Sequence, residues 1–171
     1  FLEGTGSLVL DRKTRTAYAA LSARTHLSVA EEWAREMNYE LVAFDAQDAS
    51  GAEIYHTNIM MSVGEDFVLV CFESVKDLSE NKQLEIALRT AGLESHCFDL
   101  QQLNSFLGNS FSLRSNGGAA LLAMSEEAEG ILVSSQGEFL KRQAVLVSTP
   151  FETLQGAGGG GVRCCLMDVD Q

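Results

Sequence analysis

Apolar and polar positions alternate along this chain in a pattern that returns about every fifty residues. The stretches "TGSLVLDRKTRTAYAALS" (5–22), "TNIMMSVGEDFVLVCFES" (57–74) and "GNSFSLRSNGGAALLAMS" (108–125) each read as an apolar strand, a polar turn, a second apolar strand and a serine. Ser22, Ser74 and Ser125 lie 52 and 51 residues apart, and Gly6, Asn58 and Asn109 repeat those intervals. A helical period follows each hairpin. Val29, Ala30, Trp33, Ala34 and Met37 share one face in the first unit, and Leu84, Ala87, Leu88 and Ala91 share one in the second. Ser28 with Glu31 is expected to cap the first helix, and Gly92 suits the end of the second. Short strands are expected at 40–44, 95–100 and 144–148.

The unit is therefore ββαβ, an α/β module repeated at about 1–52, 53–104 and 105–155. A partial fourth unit (156–171) begins with Gly160, 51 residues past Asn109, and is expected to contribute only its opening strand. Such small sheets cannot bury both faces alone, so the modules must pack side by side, and radial repetition is one solution. The starting turns would then converge. Glu3 stands before the first turn, His56 before the second and Cys164 just after the fourth, which places three chemically capable residues toward one point.

Composition narrows the partners. At 171 residues with 46% apolar content, the chain is expected to form a single domain over 1–171. Twelve basic against twenty-four acidic residues leave a net charge of −12, a field that repels nucleic acid and anionic membranes. No stretch approaches the ~20 apolar residues of a transmembrane helix. Cys71, Cys97, Cys164 and Cys165 lack C-x-x-C spacing, so free thiols in a reducing cytoplasm are expected, with no metal and no cofactor. The absence of an initiator Met at Phe1 suggests processing or a fragment.

Each candidate has a bland alternative. A lone His beside a strand is usually packed or solvated, and His26 and His96 are read that way, but His56 lies 53 residues after Glu3 in the repeat. Gly156, Gly158 and Gly161 satisfy G-x-G-x-x-G without the strand, helix and acid of a dinucleotide site. They instead let backbone approach a ligand beside Cys164. Cys71 and Cys97 are read as buried structural thiols. Cys165 is expected on the opposite face of a strand from Cys164.

The segments "FLEGTGS", "SARTH", "YHTN", "GNSFSL" and "GGGGVRC", in that order, resemble the guanidine-modifying superfamily of arginine deiminases, dimethylarginine dimethylaminohydrolases and amidinotransferases. The nearest likeness is to its citrulline-utilisation hydrolase branch. The resemblance implies a pentein fold, a five-bladed α/β-propeller of ββαβ modules, and a cysteine-dependent hydrolase of a small amino-acid substrate. In it Cys164 is the nucleophile, His56 the general acid/base, Glu3 the orienting carboxylate and Arg24 the partner of the substrate α-carboxylate. Many relatives carry Asp at the position of Asn58. An amide, with a donor and an acceptor, suits a neutral ureido group better than a guanidinium, so Asn58 favours citrulline as substrate, hydrolysed to ornithine, carbon dioxide and ammonia. The alternatives are an arginine deiminase or dimethylarginine dimethylaminohydrolase-like enzyme, or a catalytically incomplete remnant. With three modules and part of a fourth, the chain is expected to be the C-terminal part of a longer enzyme.

Overall fold

The computed structural model describes residues 1–167. It resolves the repeat into three three-stranded sheets of one design, an antiparallel hairpin followed by a helix and a parallel third strand. The first module comprises α1 (Gly4–Ser7), β1 (Val9–Asp11), β2 (Thr16–Leu21), α2 (Leu27–Met37) and β3 (Glu40–Asp45). The second comprises α3 (Thr57–Met60), β4 (Met61–Val63), β5 (Phe67–Val70), α4 (Leu78–Thr90) and β6 (Glu94–Cys97). After α5 (Leu100–Asn104), the third holds β7 (Phe111–Arg114), β8 (Ala120–Ser125), α6 (Glu126–Gly130), α7 (Ser134–Gln143) and β9 (Val145–Thr149). The middle strand of each sheet is paired on both edges, and in β2 and β5 it is buried almost throughout, which matches their continuous apolar runs.

Local signals decide the helix ends. Asp77 accepts from the backbone N–H groups of Ser79 and Glu80 at the start of α4, and Gly92, at φ 77°, turns the chain out of it. In α2 the expected Ser28–Glu31 cap does not form, because the helix begins two residues earlier than such a cap requires, at Leu27, with His26 in extended conformation before it. Ser28 therefore lies inside the first turn. Only Ala30 and Ala34 of the anticipated face are buried, while Val29 and Met37 lie at its exposed margin.

Modules join through their helices. Helix α4 packs on β3 of the preceding module. From α7, Phe139 stacks on His96 of β6 at 4.3 Å and meets Phe67 of β5 edge-on at 6.0 Å. One continuous core results, with Tyr18, Phe44, Met60, Leu69, Leu84, Leu88, Leu122 and Leu140 among its fully buried members. On β9, by contrast, Val145 and Val147 remain exposed. No helix among the described residues is long and apolar enough to cross a membrane.

Two cysteine expectations change. Cys71 is fully buried, and burial pushes its thiol up to about 11, but Cys97 is exposed at the end of β6. Residues expected as the opening strand of a fourth unit instead form α8 (Glu152–Gly158) and a tight helical turn, Val162–Cys165. Among the described residues no strand pairs with this segment, and its backbone groups close locally, Cys164 N–H on Gly161 O and Leu166 N–H on Arg163 O. Cys164 and Cys165 are thus both exposed on a turn rather than on opposite faces of a strand. Positions 168–171, the rest of that expected strand, lie outside the described residues.

Candidate active site

Each unit opens in a short helical turn, α1, α3, Leu107–Asn109 and Val162–Cys165, and the first three are fastened by buried hydrogen bonds. Thr57 donates its hydroxyl to Ser7 O at 2.6 Å and accepts the Ala20 N–H at 2.8 Å. Asn58 Nδ2 donates to Thr5 O at 3.0 Å. Asn109 Nδ2 donates in turn to the backbone oxygen and Oδ1 of Asn58, at 3.0 and 3.1 Å. Backbone fits closely at these crossings. A Cβ on Gly108 would lie 2.3 Å from Ile59 O, and one on Gly161 would lie 2.8 Å from Asn109 Oδ1. The turns therefore converge as the repeat implies.

This stacking brings Glu3 to His56. Their side chains meet at 2.7 Å between Glu3 Oε2 and His56 Nε2, across 53 residues of sequence. Arg24 Nη1 stands 3.6 Å from the same carboxylate oxygen. Ser7 ties both backbones down, accepting from Glu3 N–H at 2.8 Å and donating to Arg24 O at 3.0 Å. The His56 ring rests on Gly6, where a Cβ would come within 2.8 Å of it. A carboxylate on one ring nitrogen fixes the orientation of the imidazole and leaves its other nitrogen for a second partner.

The glycine-rich segment reaches this pair through Tyr55. The Tyr55 ring lies 4.9 Å from that of His56, the Arg24 guanidinium lies over it at 5.0 Å, and its hydroxyl donates to Gly159 O. Gly160 then runs against Cys164, since a Cβ there would be 2.9 Å from Sγ. Burial pushes the Tyr55 phenol up, a Cys164 thiolate adds to that shift and Arg24 opposes it. Burial pulls the neighbouring Arg163 guanidinium down, against the pull of Cys164, and its plane lies over Phe111 at 4.8 Å. A cavity of about 150 Å³ opens beside Tyr55, lined by Ile54, Ile59, Leu103 and Phe106 with Asp48 and Glu53 at its polar side.

Of the residues singled out in sequence, Glu3 meets both His56 and Arg24, and the segment that carries Cys164 is tied through Gly159 to Tyr55, the neighbour of His56. Asn58 is placed differently from the expectation for it. It is 2% exposed, and its amide fastens two turns, Nδ2 donating to Thr5 O and Oδ1 accepting from Asn109. Tyr55, Ser7 and Thr57 escaped the sequence reading, although Tyr55 and Thr57 flank His56 in "YHTN", and Asn109 entered it only as a repeat position. Among the described residues no group of three His, Cys, Asp or Glu side chains is placed to hold a metal ion.

Three ββαβ modules whose starting turns gather a carboxylate, a histidine and a cysteine-bearing loop define a protein of the guanidine-modifying, pentein-type class. The family of eukaryotic N,N dimethylarginine dimethylhydrolases matches residues 1–171, and the chain belongs to it. No curated protein matches the sequence. Among solved structures it is similar to ArgZ, an arginine dihydrolase from the ornithine-ammonia cycle in cyanobacteria, with a TM-score of 0.78 at 18% identity over 99% of this chain. The N-terminal domain of ArgZ, a cysteine-to-serine variant bound to substrate, gives 0.76 at 18% identity over the same 99%. Agmatine deiminase from C. jejuni gives 0.51 at 8% identity over 93% of this chain and 53% of its own. The chain spans 25% of the length of ArgZ and 57% of that N-terminal domain.

Proposed function

We propose that the protein containing this chain hydrolyses a C–N bond at the guanidino carbon of an arginine-like amino acid through a covalent cysteine intermediate. The observation that carries this reading is the 2.7 Å Glu3–His56 contact, with the Cys164 loop tied beside it by Tyr55. Cys164 Sγ, as the thiolate, adds to the guanidino carbon. His56 gives its proton to the departing amine, and the C–N bond breaks to leave an S-linked amidino carbon. Neutral His56 then takes a proton from water, whose oxygen attacks that carbon, and the C–S bond breaks to release the ureido product and the thiolate. Glu3 orients His56 and offers a carboxylate to the cationic group. No cofactor enters these steps.

Substrate choice follows from the same residues. The preference for citrulline depended on a free Asn58 amide, and that amide is engaged within the protein. Glu3 is the carboxylate left at the site, and a cationic guanidinium, all donors, is its better match. A dimethylated or unmodified arginine is therefore favoured over citrulline. The four free cysteines support a reducing, cytoplasmic setting. The test is to incubate the full-length protein with dimethylarginine, arginine and citrulline and to measure citrulline, ornithine, dimethylamine and ammonia. Citrulline release from either guanidino compound is the expected result. Ornithine formed faster from citrulline would restore the citrulline reading, and no turnover of any of the three would leave a ligand-binding remnant.

A further inference from the structure

Tyr55 touches each part of the candidate site without being one of its reacting groups. Its ring packs on His56, the Arg24 guanidinium lies over that ring, and its hydroxyl crosses 104 residues of sequence to Gly159 O. From this geometry we infer that Tyr55 is a positioning residue that sets the Cys164 loop against His56. The inference rests on the reading that Cys164 and His56 carry the chemistry.

The loop is anchored on its far side by buried Val162 and by the close fit of Gly161 on Asn109, and on the His56 side by Gly159. Gly159, at φ 67°, ends helix α8, so its carbonyl is one of the acceptors a helix leaves without an intrahelical partner. The Tyr55 hydroxyl satisfies it. The phenol is able to do so across the working range because burial, with Cys164 beside it, keeps it protonated and therefore a donor. Gly160, the next residue, bears directly on Cys164 Sγ, so a shift of the Gly159 carbonyl reaches the sulfur within one residue of backbone contact. At the other end Tyr55 is itself held. Ser22 donates its hydroxyl to Tyr55 O at 2.9 Å and accepts the Arg24 N–H at 3.1 Å, which links the strut to the residue beside Glu3. A tyrosine serving only to cover the surface would need neither the carbonyl nor the serine.

Tyr55→Phe keeps the ring against His56 and removes the tie to Gly159. Full-length wild type, Tyr55→Phe and His56→Ala are each alkylated with iodoacetamide from pH 5.5 to 9, with Cys164 and Cys165 followed separately by peptide mass spectrometry. Melting temperatures are recorded beside them. Tyr55→Phe is expected to slow Cys164 alkylation about tenfold near neutral pH, the scale of one lost hydrogen bond, and to move its pH profile toward that of Cys165. With the substrate that proves active, kcat should fall about as much and KM change less than about twofold. A Cys164 profile unchanged in Tyr55→Phe but moved in His56→Ala overturns the strut and spares the catalytic reading. A Tyr55→Phe variant with lowered melting temperature and an unchanged profile assigns Tyr55 a structural role and overturns it too. If Cys164 behaves like Cys165 in the wild type and is insensitive to His56→Ala, the catalytic reading falls and the strut with it.

Discussion

The two sides of the candidate site are built by different means. Glu3 and His56 sit on turns locked together by side chains that are themselves buried, Thr57 on Ser7 and Ala20, Asn58 on Thr5, Asn109 on Asn58. Cys164 stands exposed on a turn after a run of glycines, attached through Tyr55 to Gly159 and through the close fit of Gly161 on Asn109. The Glu3–His56 pair is thus held by the same contacts that hold the modules together. The thiol is exposed on a turn whose anchor is its neighbour Val162, which is buried. Substitutions on the first side should cost stability and activity together, whereas those on the second should cost activity alone.

The largest separation is expected at the thiols. Cys164→Ala should lower turnover on the order of a thousandfold or more, the scale of losing a nucleophile, and leave the melting temperature unchanged. Cys165→Ala should retain most activity. Steady-state assays beside thermal melts check both, and a Cys165→Ala variant as dead as Cys164→Ala would move the nucleophile one residue along the turn.

On the locked side, Asn58→Asp should be the most damaging change to the fold. It replaces the donor facing Thr5 O with a carboxylate oxygen, which loses one buried hydrogen bond and leaves a charge against a carbonyl, a cost of at least ~2 kcal/mol. Urea unfolding measures it. Little loss of stability, with a change of substrate preference instead, would return Asn58 to the substrate.

Paired glycine substitutions sharpen the contrast further. A Cβ at Gly6 would press on the His56 ring at 2.8 Å, and one at Gly160 would press on Cys164 Sγ at 2.9 Å. Gly6→Ala should cost ~1–3 kcal/mol through overpacking and also reduce activity. Gly160→Ala should change stability by less than ~0.5 kcal/mol, because the exposed Cys164 side chain is able to move aside, while activity still falls. Equal losses of stability would erase the distinction between the two sides.

The smallest effect lies at the joint between the second and third modules. His96, stacked on Phe139, is held below the ordinary histidine range by burial, with Glu94 opposing the shift and Arg142 adding to it. Its folded value lies below its unfolded value of ~6.5, so the unfolded state binds the proton first. The contribution is full above ~6.5 and is lost as pH falls through and below that value. His96→Phe should preserve the stack and flatten this part of the decline in melting temperature between pH 7.5 and 5.5. A decline as steep as the wild type's would assign it to other groups.

The repeat was legible because a module needs the same order of apolar strand, turn, strand and helix each time it is built. Glu3 and His56 were legible for the same reason, each standing one residue before an equivalent turn. Identical positions in a repeat nevertheless do different work. Ser22 holds Tyr55 and Arg24, Ser74 donates to Cys71 O at 2.7 Å, and Ser125 accepts from Ala128 N–H at the start of α6. Asn58 and Asn109 matched in spacing, yet their shared task, one amide against the next, involves residues 51 apart and leaves no local trace. The Ser28–Glu31 pattern was a capping signal that lost to a helix start two residues earlier.

What the chain determined by itself was the periodicity: where strands and helices alternate, which faces are apolar, and that three modules carry one plan. Those are properties of neighbouring residues, set by side-chain volume, polarity and backbone propensity. The tertiary structure decided which carboxylate meets His56, that Asn58 turns inward, and that Tyr55 reaches Gly159. These contacts join residues 51 to 104 positions apart, and the stacking of one module on another brings them within hydrogen-bonding distance.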